Sequence, residues 1–169
     1  MPHDLQLLTI GPQLRGSENT RLGQDASREA FSLLQSIVGK YQKEATARTI
    51  LIENDSGRPV LIEFLSDPDV RITGKIGTQT LPLVSIKGGT DYSNVHNRLG
   101  EAEKSHQKAK NRGFNEFWTI TRVDLAPDVA KRESPTTSHF FHLDRLTDTS
   151  SDEHKRFRGH LGSILGIRT

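Results

Sequence analysis

Between residues 26 and 44 the apolar positions Phe31, Leu34, Val38 and Tyr41 recur every three or four residues, the stripe of an amphipathic helix, with Ser27 placed to cap its start. The period then changes. Thr49-Ile50-Leu51-Ile52-Glu53 and Val60-Leu61-Ile62-Glu63-Phe64-Leu65 flank a cluster of turn formers, Asn54 to Pro59, and read as a β-hairpin. Val70-Arg71-Ile72 and Leu81 to Ile86 read as two further strands, separated by a turn around Gly74 to Gly77. Pro82 has no N–H to donate, so an edge or a bulge is expected there. Val95, Leu99, Ala102, His106 and Ala109 share one helical stripe, and Arg98, Glu101, Ser105 and Lys108 line the adjacent one. Asn111-Arg112-Gly113 is a stop signal, after which residues 116–123, aromatic and β-branched, read as a strand. Residues 126–137 read as a polar, proline-containing loop, 139–143 as a strand, and 151–161 as a helix with the acidic start Ser151-Asp152-Glu153. Residues 1–25 carry Gly11, Pro12, Gly16 and Gly23 without a period and are expected to form an irregular arm. No internal repeat or low-complexity tract is present. Helix, meander, helix, strand is an α/β pattern.

At 169 residues, 33% hydrophobic and 26% charged, the chain suits one soluble domain with a modest core. The absence of cysteine excludes disulfides, thiolate zinc sites and cysteine nucleophiles, and accords with a reducing cytoplasm. The start, Met1-Pro2-His3-Asp4, lacks a basic and apolar leader, and no run approaches the roughly 20 apolar residues of a membrane helix, so a cytoplasmic protein with no membrane partner is expected. A net charge of +2 says little about an anionic partner, but basic residues cluster at Lys104, Lys108, Lys110 and Arg112 and again at Lys155, Arg156 and Arg158. Solvated helix faces are the ordinary reading for both clusters, favoured by roughly two to one for the second, while proximity to the glycine-rich turn favours function for the first.

The candidate chemistry lies around Ser85-Ile86-Lys87-Gly88-Gly89. A lysine ends a strand, Pro68-Asp69 supplies a carboxylate upstream, and Arg98 and Glu101 are neighbours one helical turn apart downstream. Each has an ordinary alternative: Asp69 as a turn residue, Glu63 as a solvent-facing strand residue, Lys87 as edge protection, and Arg98 with Glu101 as a surface pair worth about 0.2–0.5 kcal/mol. Their joint order and spacing favour the hydrolysis of a phosphodiester. His96 and His106 are too far apart for a one-turn metal pair, and His139 and His142 lack further ligands in sequence. Trp118 reads as a core residue.

Pro68-Asp69, fifteen intervening residues and Ser85-Ile86-Lys87 resemble the PD-(D/E)xK nuclease core, with serine in place of its second acid. Serine is uncharged and a weaker donor to a hard cation. A subgroup of restriction endonucleases cutting CCGG-core sites, the NgoMIV-like enzymes, carries SxK and takes the acid from the following helix. Glu101, thirteen residues beyond Lys87 and within Arg98-x-x-Glu101, matches that arrangement. Residues 86–98, with Gly113-Phe114 and Trp118-Thr119-Ile120, resemble most closely the type II restriction endonucleases of the XcyI/XmaI type, which cut CCCGGG. The departures are an Asp69 to Ser85 spacing shorter than in the NgoMIV-like enzymes and a chain shorter than the XcyI type.

The resemblance implies a restriction-endonuclease-like α/β core, a central mixed β-sheet flanked by helices, with a single nuclease domain over 26–169 that is truncated at its N-terminus relative to the family. It implies Mg²⁺ held by Asp69 and Glu101, with Glu63 as an outer ligand and Glu29 as a weaker candidate. Lys87 would position or polarise the attacking water, and the Ser85 hydroxyl would support a ligand water. Arg98 would read guanine, with Asn97, Lys104, Lys108 and Arg112 as further DNA contacts. Double-stranded DNA, a homodimer matched to a palindrome and a methyltransferase acting on the same site, a functional rather than physical partner, complete the set. The alternatives are a truncated or inactive DNA-binding remnant, a less specific repair or mobile-element nuclease, and a purely structural interaction module.

Overall fold

A computed structural model describes residues 26, 28–89 and 94–169, so the expected arm over 1–25 and the Ser27 cap lie outside the described residues. Helix α1 runs through residues 28–38 and buries Leu33, Leu34 and Val38. It stops short of the expected residue 44, because glycine costs a helix interior about 1 kcal/mol and Gly39 opens a single 3-10 turn, Gly39–Tyr41. The chain then enters β1 (Gln42–Ala45), whose four exposed residues pair antiparallel with β2 (Thr49–Glu53). Lys43 and Glu44 put charge on this edge of the sheet, a common protection against edge-to-edge association.

The expected hairpin forms between β2 and β3 (Pro59–Phe64), and β4 (Val70–Ile76) and β5 (Gln79–Gly89) continue the antiparallel meander. The turn between β4 and β5 sits at Gly77, whose φ of 60° suits glycine, so both strands are longer than their sequence pattern indicates. Pro82 lies at a bulge: the register slips between Ile72 and Thr73, and β5 acquires its second neighbour only from Val84 onward. Helix α2 (Val95–Asn111) then crosses over to β6 (Glu116–Thr121), which pairs parallel with β5. Helix α3 (Pro127–Glu133) crosses to β7 (His139–His142), parallel to β6. The seven strands lie in the order β1 to β7 as one mixed sheet, the expected α/β architecture.

Helix α3 occupies what reads in sequence as a loop. Pro127 is at its first turn, where a missing N–H is harmless and the fixed φ is already helical, and Asp128 and Lys131 suit the two ends of the dipole. Helices α4 (Leu143–Thr147) and α5 (Asp152–Leu165) close the chain. The Ser151 hydroxyl accepts from His154 N at 2.9 Å and caps α5, which ends on Gly166 at a φ of 71°.

Strand alternation gives the sheet two unlike faces. Val84 and Ile86 of β5, Trp118 and Ile120 of β6 and Phe141 of β7 join α1, α4 and α5 in the main core. Ser85, Lys87 and Thr119 alternate with them and lie on the face covered by α2, where Leu99 and Ala102 are buried and, among the described residues, Ala109, Phe114 and Phe117 form a small apolar cluster. Among the described residues no helix is long and apolar enough to cross a membrane.

Candidate active site

The loop before β4 is closed by Leu65 N donating to Asp69 O at 3.0 Å, which sets Asp69 beside the C-terminal part of β5. Lys87 Nζ is 3.2 Å from Asp69 Oδ1 and donates to Ser66 O at 3.4 Å, while Gly88 N donates to Asp69 Oδ2 at 2.6 Å. A Cβ at Gly88 would stand 3.3 Å from that same oxygen, so glycine is what lets the strand backbone approach the carboxylate. Burial pushes the Asp69 carboxyl above its ordinary value, opposed by Lys87 and the Gly88 N–H. Ser85, two residues back on the same face, is fully buried, and its hydroxyl has no hydrogen-bond partner among the described residues.

A second carboxylate meets this group. Asp67 Oδ1 accepts from Ser105 Oγ at 2.5 Å, Asp67 Oδ2 accepts from Lys108 Nζ at 3.0 Å, and Lys87 Nζ stands 3.9 Å from Asp67 Oδ1. The Ser105 hydrogen bond, with the two lysines, holds the Asp67 carboxyl below its usual range. Sequence reasoning passed over Asp67. The available signal was the polar stripe of α2, whose C-terminal members, Ser105 and Lys108, turn out to face it.

The N-terminal members of that stripe, Arg98 and Glu101, form an ion pair at 2.8 Å. Asn97, Lys104 and Arg112 are exposed on α2 and at its end, whereas Lys108 is engaged with Asp67. Glu63 faces Arg71 across the β3–β4 ladder and accepts from its Nε at 2.9 Å. Glu29 accepts from Arg122, which also donates to Asp144 at 3.1 Å, so this acid ties α1 to the end of β6. Asp69 and Lys87 are thus in direct contact, with Ser85 next along the strand, while Glu63 and Glu101 each have an arginine. Among the described residues no group of three or more His, Asp or Glu side chains is arranged to hold a metal ion. A hard cation takes oxygen donors, and Asp69 offers one as a buried carboxylate, while the Ser85 hydroxyl, two residues before Lys87 on the same strand face, is unpartnered among the described residues.

His106 is buried against β6, its ring 5.5 Å from that of Phe117. Its Nε2 lies 3.0 Å from Thr119 Oγ1, and the chain of contacts continues to Thr137 at 2.9 Å, Ser134 at 2.8 Å and Glu103 Oε2 at 3.2 Å. Desolvation drives the His106 pKa down to about 4. His139 stacks on His160 at 4.2 Å beside Trp118, which is fully buried as expected. In the C-terminal basic cluster Lys155 pairs with Asp152 at 3.3 Å and Arg156 donates to Phe140 O at 3.2 Å.

A carboxylate just before β4 meets a lysine of β5, and a helix bearing Arg98 and Glu101 follows, on a mixed sheet consistent with a restriction-endonuclease-like core. The sequence model of the XcyI restriction endonuclease matches residues 1–168, and the chain belongs to that family. Its relatives include the type II restriction enzyme XcyI of Xanthomonas campestris pv. cyanopsidis, 43% identical over 168 residues covering 97% of this chain and 50% of that protein. Another is the type II restriction enzyme Cfr9I of Citrobacter freundii, 40% identical over 168 residues covering 97% of this chain and 51% of that protein. The chain therefore spans about half the length of these relatives. No solved structure matches it significantly.

Proposed function

We propose that this chain carries the nuclease domain, over residues 26–169, of a cytoplasmic type II site-specific deoxyribonuclease that hydrolyses phosphodiester bonds of double-stranded DNA at a CCGG-core palindrome, CCCGGG. The contact of Lys87 with Asp69 at 3.2 Å, at the positions the nuclease motif demands, carries the reading. Family membership and relatives named as type II restriction enzymes support it.

Asp69 would anchor a divalent cation, Mg²⁺, with Glu101 of α2 as the second acid and Glu63 as an outer one. When bound, that ion neutralises charge on the phosphate and lowers the pKa of a coordinated water. Lys87, already pointed at the carboxylate by Asp69 and Ser66, would orient the attacking water and balance the phosphate charge. Ser85 would hold a water with its free hydroxyl. Glu101 becomes available when Arg98 leaves their exposed ion pair for guanine, whose O6 and N7 accept a bidentate arginine fork. Asn97, Lys104 and Arg112 would then contact the duplex along the same helix, with Lys108 adding its charge from its place against Asp67, and a palindromic site calls for a symmetric dimer. A methyltransferase of the same specificity would protect host DNA.

The test is Mg²⁺-dependent cleavage of a plasmid with one CCCGGG site and several other CCGG contexts, with Lys87→Ala alongside. Discrete cutting at CCCGGG, lost in the variant, is the expected result. Scattered cutting would indicate a less specific nuclease. The Arg98–Glu101 pairing, which occupies the second acid, favours as a second reading a DNA-binding protein without cleavage, which would bind DNA in a salt-sensitive manner without cutting it.

A further inference from the structure

Asp67 joins three elements that the proposed reaction requires in register. It lies on the loop that presents Asp69, it takes hydrogen bonds from Ser105 and Lys108 of α2 at 2.5 and 3.0 Å, and it stands 3.9 Å from the ammonium of Lys87 on β5. Ser105 is buried, so its hydroxyl is not a casual surface donor: α2 seats that side chain against the loop and satisfies it with Asp67. Lys87 therefore has three oxygens about it, from Asp69, Ser66 and Asp67, two of them carboxylates. Glu101 and Arg98 occupy the same stripe of α2 as Ser105 and Lys108, about one and two turns before Ser105. A rigid helix pinned at Ser105 and Lys108 has its preceding turns placed as well.

We propose that Asp67 is a positioning residue for cleavage: it fastens the DNA-reading helix α2 to the strand bearing Lys87, so that Glu101 and Lys87 reach the same phosphate. This deepens the nuclease reading and rests on it. Asp67 neither holds substrate nor donates a proton; it acts through Lys87 and α2. A displacement of a reacting group by about 1 Å costs about 100-fold in rate, which sets the scale of the effect.

Asp67→Asn keeps an acceptor for Ser105 and removes the charge facing Lys108 and Lys87, whereas Asp67→Glu keeps the charge. Steady-state cleavage of a CCCGGG duplex by the full chain with Mg²⁺ separates kcat from KM, and melting curves follow the fold. The expected result for Asp67→Asn is a fall in kcat of about 10- to 100-fold with KM and melting temperature unchanged, and partial recovery of kcat in Asp67→Glu. Ser105→Ala, which leaves all charges in place, is expected to lower kcat in the same direction by a smaller factor. Wild-type kcat in Asp67→Asn overturns the proposal, as does a rise in KM alone, which would make Asp67 part of the DNA-contacting surface. A loss of kcat that merely follows a lowered melting temperature overturns it too. A wild-type chain that cuts no better than Lys87→Ala overturns the nuclease reading itself, and the proposal with it.

Discussion

The two faces of the sheet are made by the same strands and do opposite things. On the α1 and α5 side, Trp118 packs edge-on to Phe141 and Phe157 at 5.6 and 5.4 Å, and Ile50, Ile52, Ile62, Ile72 and Val84 are fully buried around them. On the α2 side the corresponding positions are Ser85, Lys87, Thr119 and the His106 network, with polar groups held at hydrogen-bond distance. Burial of apolar area stabilises at about 25 cal/mol per Å², while each hydrogen bond nets about 1 kcal/mol, so the first face carries most of the folding energy. The second is left to hold charge in defined places. A single-residue alternation in β5, Val84-Ser85-Ile86-Lys87, separates the apolar core from the polar candidate site within one strand.

This division is open to attack at both faces. Trp118→Ala is expected to cost about 3–5 kcal/mol of stability, seen in chemical denaturation, without altering the contacts of Asp69. Lys87→Ala is expected to do the reverse: cleavage falls by about 100- to 1,000-fold, and the denaturation midpoint moves far less than for Trp118→Ala. His106 links the polar face to stability through pH. Its folded pKa of about 4 lies below the ordinary 6.5, so the folded state binds fewer protons in that interval, and stability present above pH 6.5 is lost as pH falls toward 4. The loss amounts to about 3 kcal/mol at most, and His106→Gln is expected to flatten this part of the pH–stability curve. The smallest effect is expected at Arg98: Arg98→Ala should leave folding intact and reduce discrimination between CCCGGG and sites with one altered guanine by about 1–3 kcal/mol, measured in competition binding.

Sequence and structure part company where partners are distant along the chain. The α2 stripe, the β2–β3 hairpin, the strand at 116–121 and the Ser151 cap were legible because their signals are periodic or local. α1 ended at residue 38 rather than 44, since the edge pairing of Gln42–Ala45 with β2 overrode a helical pattern already weakened at Gly39. α3 was hidden because Pro127 marks a loop and a helix start equally well. Glu63 reads as a free strand carboxylate until Arg71 is placed opposite it by the β3–β4 register. Asp67 is invisible as a site residue because Ser105 and Lys108 stand 38 and 41 residues away.

The order of residue types along the chain was enough to determine the α/β class, the pairing of Asp69 with Lys87 as a candidate site, and the helix that carries Arg98 and Glu101, because periodicity and spacing are properties of the chain itself. Which carboxylates stand beside Lys87, and which are taken by arginines, was decided only by folding. Strand register and the seat of α2 determine which charges come within 4 Å, and an ion pair or hydrogen bond has consequence only at that range.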